Sequence, residues 1–216
     1  MSWWLIIAAI VAAALVYGYW EHGKDSRHLA RLFAPLAAKY GGEVTSASFL
    51  ALPQLRFETG GRRFLVAAMA TSGDVVAGSS GYSGPFTFVD LDLPFETGQR
   101  LRIERNTALD RGADVLIDAV TPGRHPSTGH AEFDAAFRIR GRDHAFASRL
   151  LDARVRRMLL DSRLPRLDIR VEGRKISVHG DGIAKSKADL DELIEIAVLL
   201  ADRLPDEPVN GRGGRP

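Results

Sequence analysis

The chain has 216 residues with 29 basic and 27 acidic side chains, a net charge of +2, and 45 % hydrophobic residues. So even a balance gives no ground for a nucleic-acid partner. The absence of cysteine excludes disulfides, thiolate metal sites and cysteine nucleophiles.

Residues 1–20 contain no Asp, Glu, Lys, Arg or His. From Trp3 to Trp20 the run is long enough, at about 1.5 Å per helical residue, to match a bilayer core of about 30 Å. All three tryptophans (Trp3, Trp4 and Trp20) lie at its ends, with Tyr17 and Tyr19 beside the last. Such rings favour the headgroup level, so a transmembrane anchor over 1–20, in contact with the lipid bilayer, is predicted. A cleaved signal peptide fits less well, because no basic side chain precedes the run and bulky residues end it. Lys24, Arg27 and Arg31 follow the span, which places a single-pass protein's C-terminal body in the cytoplasm.

The body is predicted to be one α+β domain over 21–204, with an antiparallel sheet and amphipathic helices. Leu29, Leu32, Phe33, Leu36, Ala37 and Tyr40 share a helical face. Asp25 or Ser26 is placed to cap that helix, Pro35 to kink or split it, and Gly41-Gly42 to stop it. Over 43–105 the pattern reads as a meander of about five strands: Val44 to Phe49, Leu55/Phe57, Phe64/Val66 after a Gly60-Gly61 turn, Phe86 to Leu93, and Leu101/Ile103. The change of phase at Val89 predicts a bulge. DVVAGSSGYSG at 74–84 reads as a loop or weak strand, and Thr121 to Gly129 as a loop joining two halves.

The second half, 133–204, reads strand–helix–hairpin–helix. Phe137 and Ile139 mark the strand, and Asp143 caps one helix running through Leu150, Leu151, Val155, Met158 and Leu159. Leu167, Ile169 and Val171 then pair with Ile176 and Val178. The last helix opens on Ser186 and Asp189 in capping-box spacing. Its apolar stripe runs from Leu190 to Leu204, and 205–216 is predicted to be a disordered tail.

Chemistry-bearing residues are sparse. His179 beside Gly180-Asp181-Gly182, and Asp134 between Phe133 and Phe137, are the candidate catalytic groups. His179 shares the phase of Lys175 and Ser177, away from the core, so it reads as a polar turn. The histidine spacings match no metal motif, and the glycine-rich stretches at 78–84 and 180–185 match neither phosphate-loop nor dinucleotide spacing. No cofactor is expected. Arg149, Arg154, Arg156 and Arg157 are candidates for contact with anionic lipid or an acidic partner.

The stretch GHAEFDAAFRIRGRDHAFASRLL, with the hairpin and closing helix after it, is similar to an uncharacterised group of bacterial and archaeal membrane-anchored proteins. Gly129, Phe133, Asp134, Phe137, Ile139, Leu150 and Leu151 carry the resemblance, which spans about 28–204. It implies no activity and transfers no catalytic residue. The expected function is a non-enzymatic binding or scaffolding module at the cytoplasmic membrane face. The alternatives are a membrane-tethered hydrolase or transferase using His179, Asp181 or Asp134, and an extracytoplasmic envelope domain.

Overall fold

The computed structural model describes residues 3–46, 51–69, 85–106 and 128–204; within residues 3–21 the side chains of 5, 6, 8, 9, 14–16, 18, 19 and 21 fall outside that description. The readings made for the end of the strand at Phe49, for 74–84, for 121–127 of the joining loop and for the tail 205–216 lie outside the described residues.

In chain order the elements are α1 (Trp3–Tyr40), β1 (Glu43–Thr45), β2 (Gln54–Thr59), β3 (Arg62–Met69), β4 (Phe86–Asp92), β5 (Arg100–Arg105), α2 (Ala131–Ala136), β6 (Phe137–Gly141), α3 (His144–Leu150), α4 (Ala153–Asp161), β7 (Leu167–Glu172), β8 (Lys175–Asp181) and α5 (Lys187–Ala201).

The predicted transmembrane helix is overturned: among the described residues no helix is long and apolar enough to cross a membrane. The single-pass topology, the single-pass membrane localisation and the spanning contact of Trp3 to Trp20 with the bilayer fall with it. The apolar run is not an element of its own. It continues without a cap or break into Glu21–Lys39, where charged residues recur, so Asp25 and Ser26 sit mid-helix. Pro35 is passed without a split; it is exposed, and so is Arg31, whose carbonyl loses its helical donor there.

The second half of α1 docks through Leu29, Phe33 and Leu36, all fully buried at i, i+4 and i+7 spacing. His28 Nε2 meets the Ala184 carbonyl at 2.8 Å and Lys39 pairs with Asp191 at 3.1 Å, tying α1 to the chain's other end. Gly41 (φ +67°) ends the helix, and the Gly42 N–H donates to the Ala37 carbonyl at 2.9 Å. A Cβ on Gly42 would lie 2.7 Å from the Arg56 carbonyl oxygen, so only glycine lets α1 turn into β1 this closely.

The eight strands of the described residues form one sheet in the order β1-β2-β3-β4-β8-β7-β5-β6, with antiparallel pairing between every pair of neighbours. β5, expected to follow β4 in a meander, pairs instead with β6 and β7. The β7–β8 hairpin inserts between β4 and β5, so the two halves share one sheet. The expected bulge at Val89 is absent, because β4 keeps register with β3 from Asp92 to Phe86. The phase change reflects a strand clad on both sides: Val89 and Leu91 face the core, Phe86 and Phe88 the other face.

The helices cover one face. α5 crosses β4 and β8, α1 lies on β1 and β2, α2 on β6, and α4 packs beside α5. Leu190, Leu193, Ile194, Ala197 and Leu200 of α5 are buried against Val89, Leu91, Ile176 and Val178. Burying a side chain of leucine size stabilises by about 1.5–3 kcal/mol over leaving it exposed. The Ser186–Asp189 capping box is fully formed at the start of α5. The one helix expected from Asp143 onward is two, because Asp143 and Asp152 each accept the N–H three residues on, from Phe146 and Val155. No helix is expected from the sequence immediately before Phe137; the structure adds the short α2 there.

Candidate functional site

On the face away from the helices, β5, β7 and β8 each present a polar side chain at every second residue. The register then sets them in rows. Asp168 lies between His179 and Glu104, and Arg170 between Ser177 and Arg102. Asp168 is 2 % exposed. Arg102 grips it with two bonds of 2.9 and 3.0 Å, and Arg170 adds bonds of 3.1 and 2.7 Å to one oxygen. Arg102 also reaches Glu104 at 2.6 Å. Burial alone would raise the Asp168 carboxyl; the two guanidiniums outweigh it and hold it below the ordinary carboxylate value.

His179 is 7 % exposed and lies parallel to the Phe86 ring, with centroids 5.4 Å apart, and 5.8 Å from Phe88. Burial pushes its pKa down to about 4, against a partial upward pull from Asp168 and Asp90. The imidazole is therefore neutral at pH 7. The Ser177 hydroxyl donates to Asp90 at 2.6 Å, and Lys175 pairs with the other oxygen at 2.9 Å. A depression of about 470 Å³ opens here, between Met69, Phe86, Phe88 and the Asp90–Arg170 row. Ser177 and His179 share this face with carboxylates, and the Ser177 hydroxyl is oriented to Asp90.

The His179 environment sets a pH dependence. The unfolded chain takes up a proton near pH 6.5, whereas the folded chain does so only near pH 4. Stability should therefore fall as pH drops from about 6.5 to 4, by about 3 kcal/mol in all. Urea unfolding at pH 7.5 and pH 5 should differ by about 2 kcal/mol of this loss in the native chain and by much less in His179→Phe; equal losses in both would refute the assignment.

Asp181, two residues beyond His179 on β8, and Asp134, on α2, are the other sequence candidates. Asp181 lies at the exposed end of β8, 4.0 Å from Arg166. Asp134 sits in α2, where it accepts the Thr128 N–H at 3.0 Å and the Thr128 hydroxyl at 2.7 Å. α2 leads into β6, three ladder steps or about 14 Å from β8. The carboxylate braces a turn there. Among the described residues no cluster of three or more metal-capable side chains occurs.

Nor do the four arginines form one basic face. Arg149 ends α3, while the others belong to α4 and diverge around it. Arg156 donates to the Leu151 carbonyl, and with Arg157 it lines a groove of about 540 Å³ between α2 and α4. Arg154 points to a separate groove of about 620 Å³ between α1, α4 and α5. Tyr40, Met158, Ile194, Val198 and Leu199 make the apolar floor of this second groove, buried or half-buried. Thr59, Arg154, Glu195 and Asp202, all exposed, make its rim.

Sequence reasoning missed both the Asp168 cluster and the groove. The cluster had a trace in the shared alternation of RLRIER, LDIRVE and KISVHGD, but charge pairing across strands depends on register. Val198, absent from the expected core stripe of α5, was the trace of the groove.

No protein-family model matches the chain, and no curated protein matches it. A crystal structure of the mycobacterial trehalose monomycolate transport factor A, TtfA, is similar in fold, with a TM-score of 0.55 at 13 % identity over 84 % of this chain and 97 % of that one.

Proposed function

We propose that the chain is a non-enzymatic binding module that takes a lipid-like chain in the groove between α1, α4 and α5. The observation that carries this reading is the groove's construction, an apolar floor beneath a polar rim. Its volume of about 620 Å³ falls within the usual range of small-molecule sites. A fold neighbour whose name attaches it to trehalose monomycolate transport is compatible with a lipid ligand. The polar groups of the opposite sheet face favour binding over catalysis, since Asp168 is held by Arg102 and Arg170, and Asp90 by Ser177 and Lys175.

The test is a titration of the full chain with the neutral apolar fluorophore N-phenylnaphthylamine. Val198→Trp and Met158→Trp should each fill the floor and weaken binding about tenfold or more, a loss of at least about 1.4 kcal/mol. Leu160→Trp, on the α2–α4 side, should leave it unchanged. Undiminished binding in both floor variants, with folding verified by circular dichroism, would place the ligand elsewhere.

A further inference from the structure

Resting on that reading of the groove, we propose that its rim selects an uncharged, hydroxyl-rich headgroup over an anionic one. The rim carries Arg154 and Thr59 as donors, and Glu195 and Asp202 as acceptors. Asp202 is itself paired with Arg62 at 2.6 Å, so two guanidiniums and two carboxylates cancel around the mouth. Lys39, next to Tyr40, is engaged with Asp191 at 3.1 Å, and Arg203 with Asp152. A phosphate or carboxylate that approached Arg154 would also meet Glu195.

The backbone adds to this discrimination. The carboxyl end of α5 abuts the rim at Asp202, and its last turn holds no basic residue. The aligned peptide dipoles of α5 place about half a negative charge at this end, which disfavours an anion, and the Val198, Leu200 and Ala201 carbonyls accept from the N–H groups of Asp202, Arg203 and Leu204. Hydroxyl groups suit the same surroundings, because each donates to a carboxylate or carbonyl and accepts from a guanidinium or threonine. Bonds to the ionised partners are the stronger kind. The rim thus supplies both halves of what a polyol requires, whereas an anion finds Arg154 opposed by Glu195, and Arg62 already paired with Asp202.

Displacement of bound N-phenylnaphthylamine separates the possibilities. Dodecyl maltoside and dodecyl phosphate share one chain and are used below their micellar concentrations against the full chain. The maltoside should displace the fluorophore at a concentration about tenfold lower than the phosphate, a difference of about 1.4 kcal/mol. In Glu195→Gln the ratio should move towards the phosphate, because a repelling charge becomes a neutral amide. Equal displacement by the two, or a preference for the phosphate, overturns the headgroup inference and leaves the groove reading standing. Failure of the fluorophore to bind overturns both.

Discussion

Replacing Asp168 with alanine should lower the unfolding free energy by about 3 kcal/mol, because it leaves Arg102 and Arg170 facing each other at a buried site. Removing one member of a buried ion cluster costs about 3–5 kcal/mol, most of it from the charge left behind. The lower figure applies here since Arg102 retains Glu104 at 2.6 Å and both arginine side chains keep some exposure, 17 % and 18 %. Urea unfolding should show a lower midpoint with an unchanged slope. The exposed Arg157–Asp161 pair, 4.0 Å apart with side chains 86 % and 76 % exposed, provides the control. Asp161→Ala should shift stability by less than about 0.5 kcal/mol. If Asp168→Ala behaved like Asp161→Ala, the cluster would contribute nothing that its burial implies. Replacing Asp168, Arg102 and Arg170 together by apolar residues should recover much of the loss.

The two titrating groups of this face act in different pH windows. Asp168 has its carboxyl held below the ordinary value, so its contribution is complete above that value and fades only as pH falls through the folded one. The His179 loss lies higher, between about pH 6.5 and 4. Stability should therefore decline with falling pH in two stages, and His179→Phe should remove the first.

The second large effect belongs to Phe33. It is 0 % exposed, at the centre of the Leu29–Phe33–Leu36 stripe that fastens α1 to the sheet. Phe33→Ala removes a whole ring from a packed core, which costs about 3–5 kcal/mol including the cavity left. Because α1 also supplies Tyr40 to the groove, the variant should loosen that wall as well. Hydrogen exchange of amides 29–40 should rise well before that of β7 and β8. Uniform acceleration throughout the molecule would mean that α1 and the sheet unfold as one unit.

Periodicity made individual helices and strands of the body legible. The face of α5 from Leu190 to Leu204, the Ser186 cap and the β7–β8 hairpin follow from spacing and local hydrogen bonding, which neighbours in sequence determine. The order of the sheet did not follow. That β8 sits beside β4 is a long-range choice that alternation does not encode, since any apolar face pairs acceptably with any other. The same reason hid the Asp168 cluster. The anchor reading failed because composition over 1–20 was weighed apart from the helix it belongs to, which runs on through charged residues to Tyr40. The four arginines looked like one patch because a single helix was assumed; the cap at Asp152 divides them.

The most direct test of lipid binding in the α1–α4–α5 groove is photo-crosslinking of the full chain with a long-chain fatty alcohol bearing a diazirine at mid-chain, followed by peptide mapping. The structure predicts labels concentrated on Tyr40, Met158, Val198 and Leu199. Labels concentrated on Phe86 and Phe88 of the sheet face, or spread evenly over the surface, would contradict it.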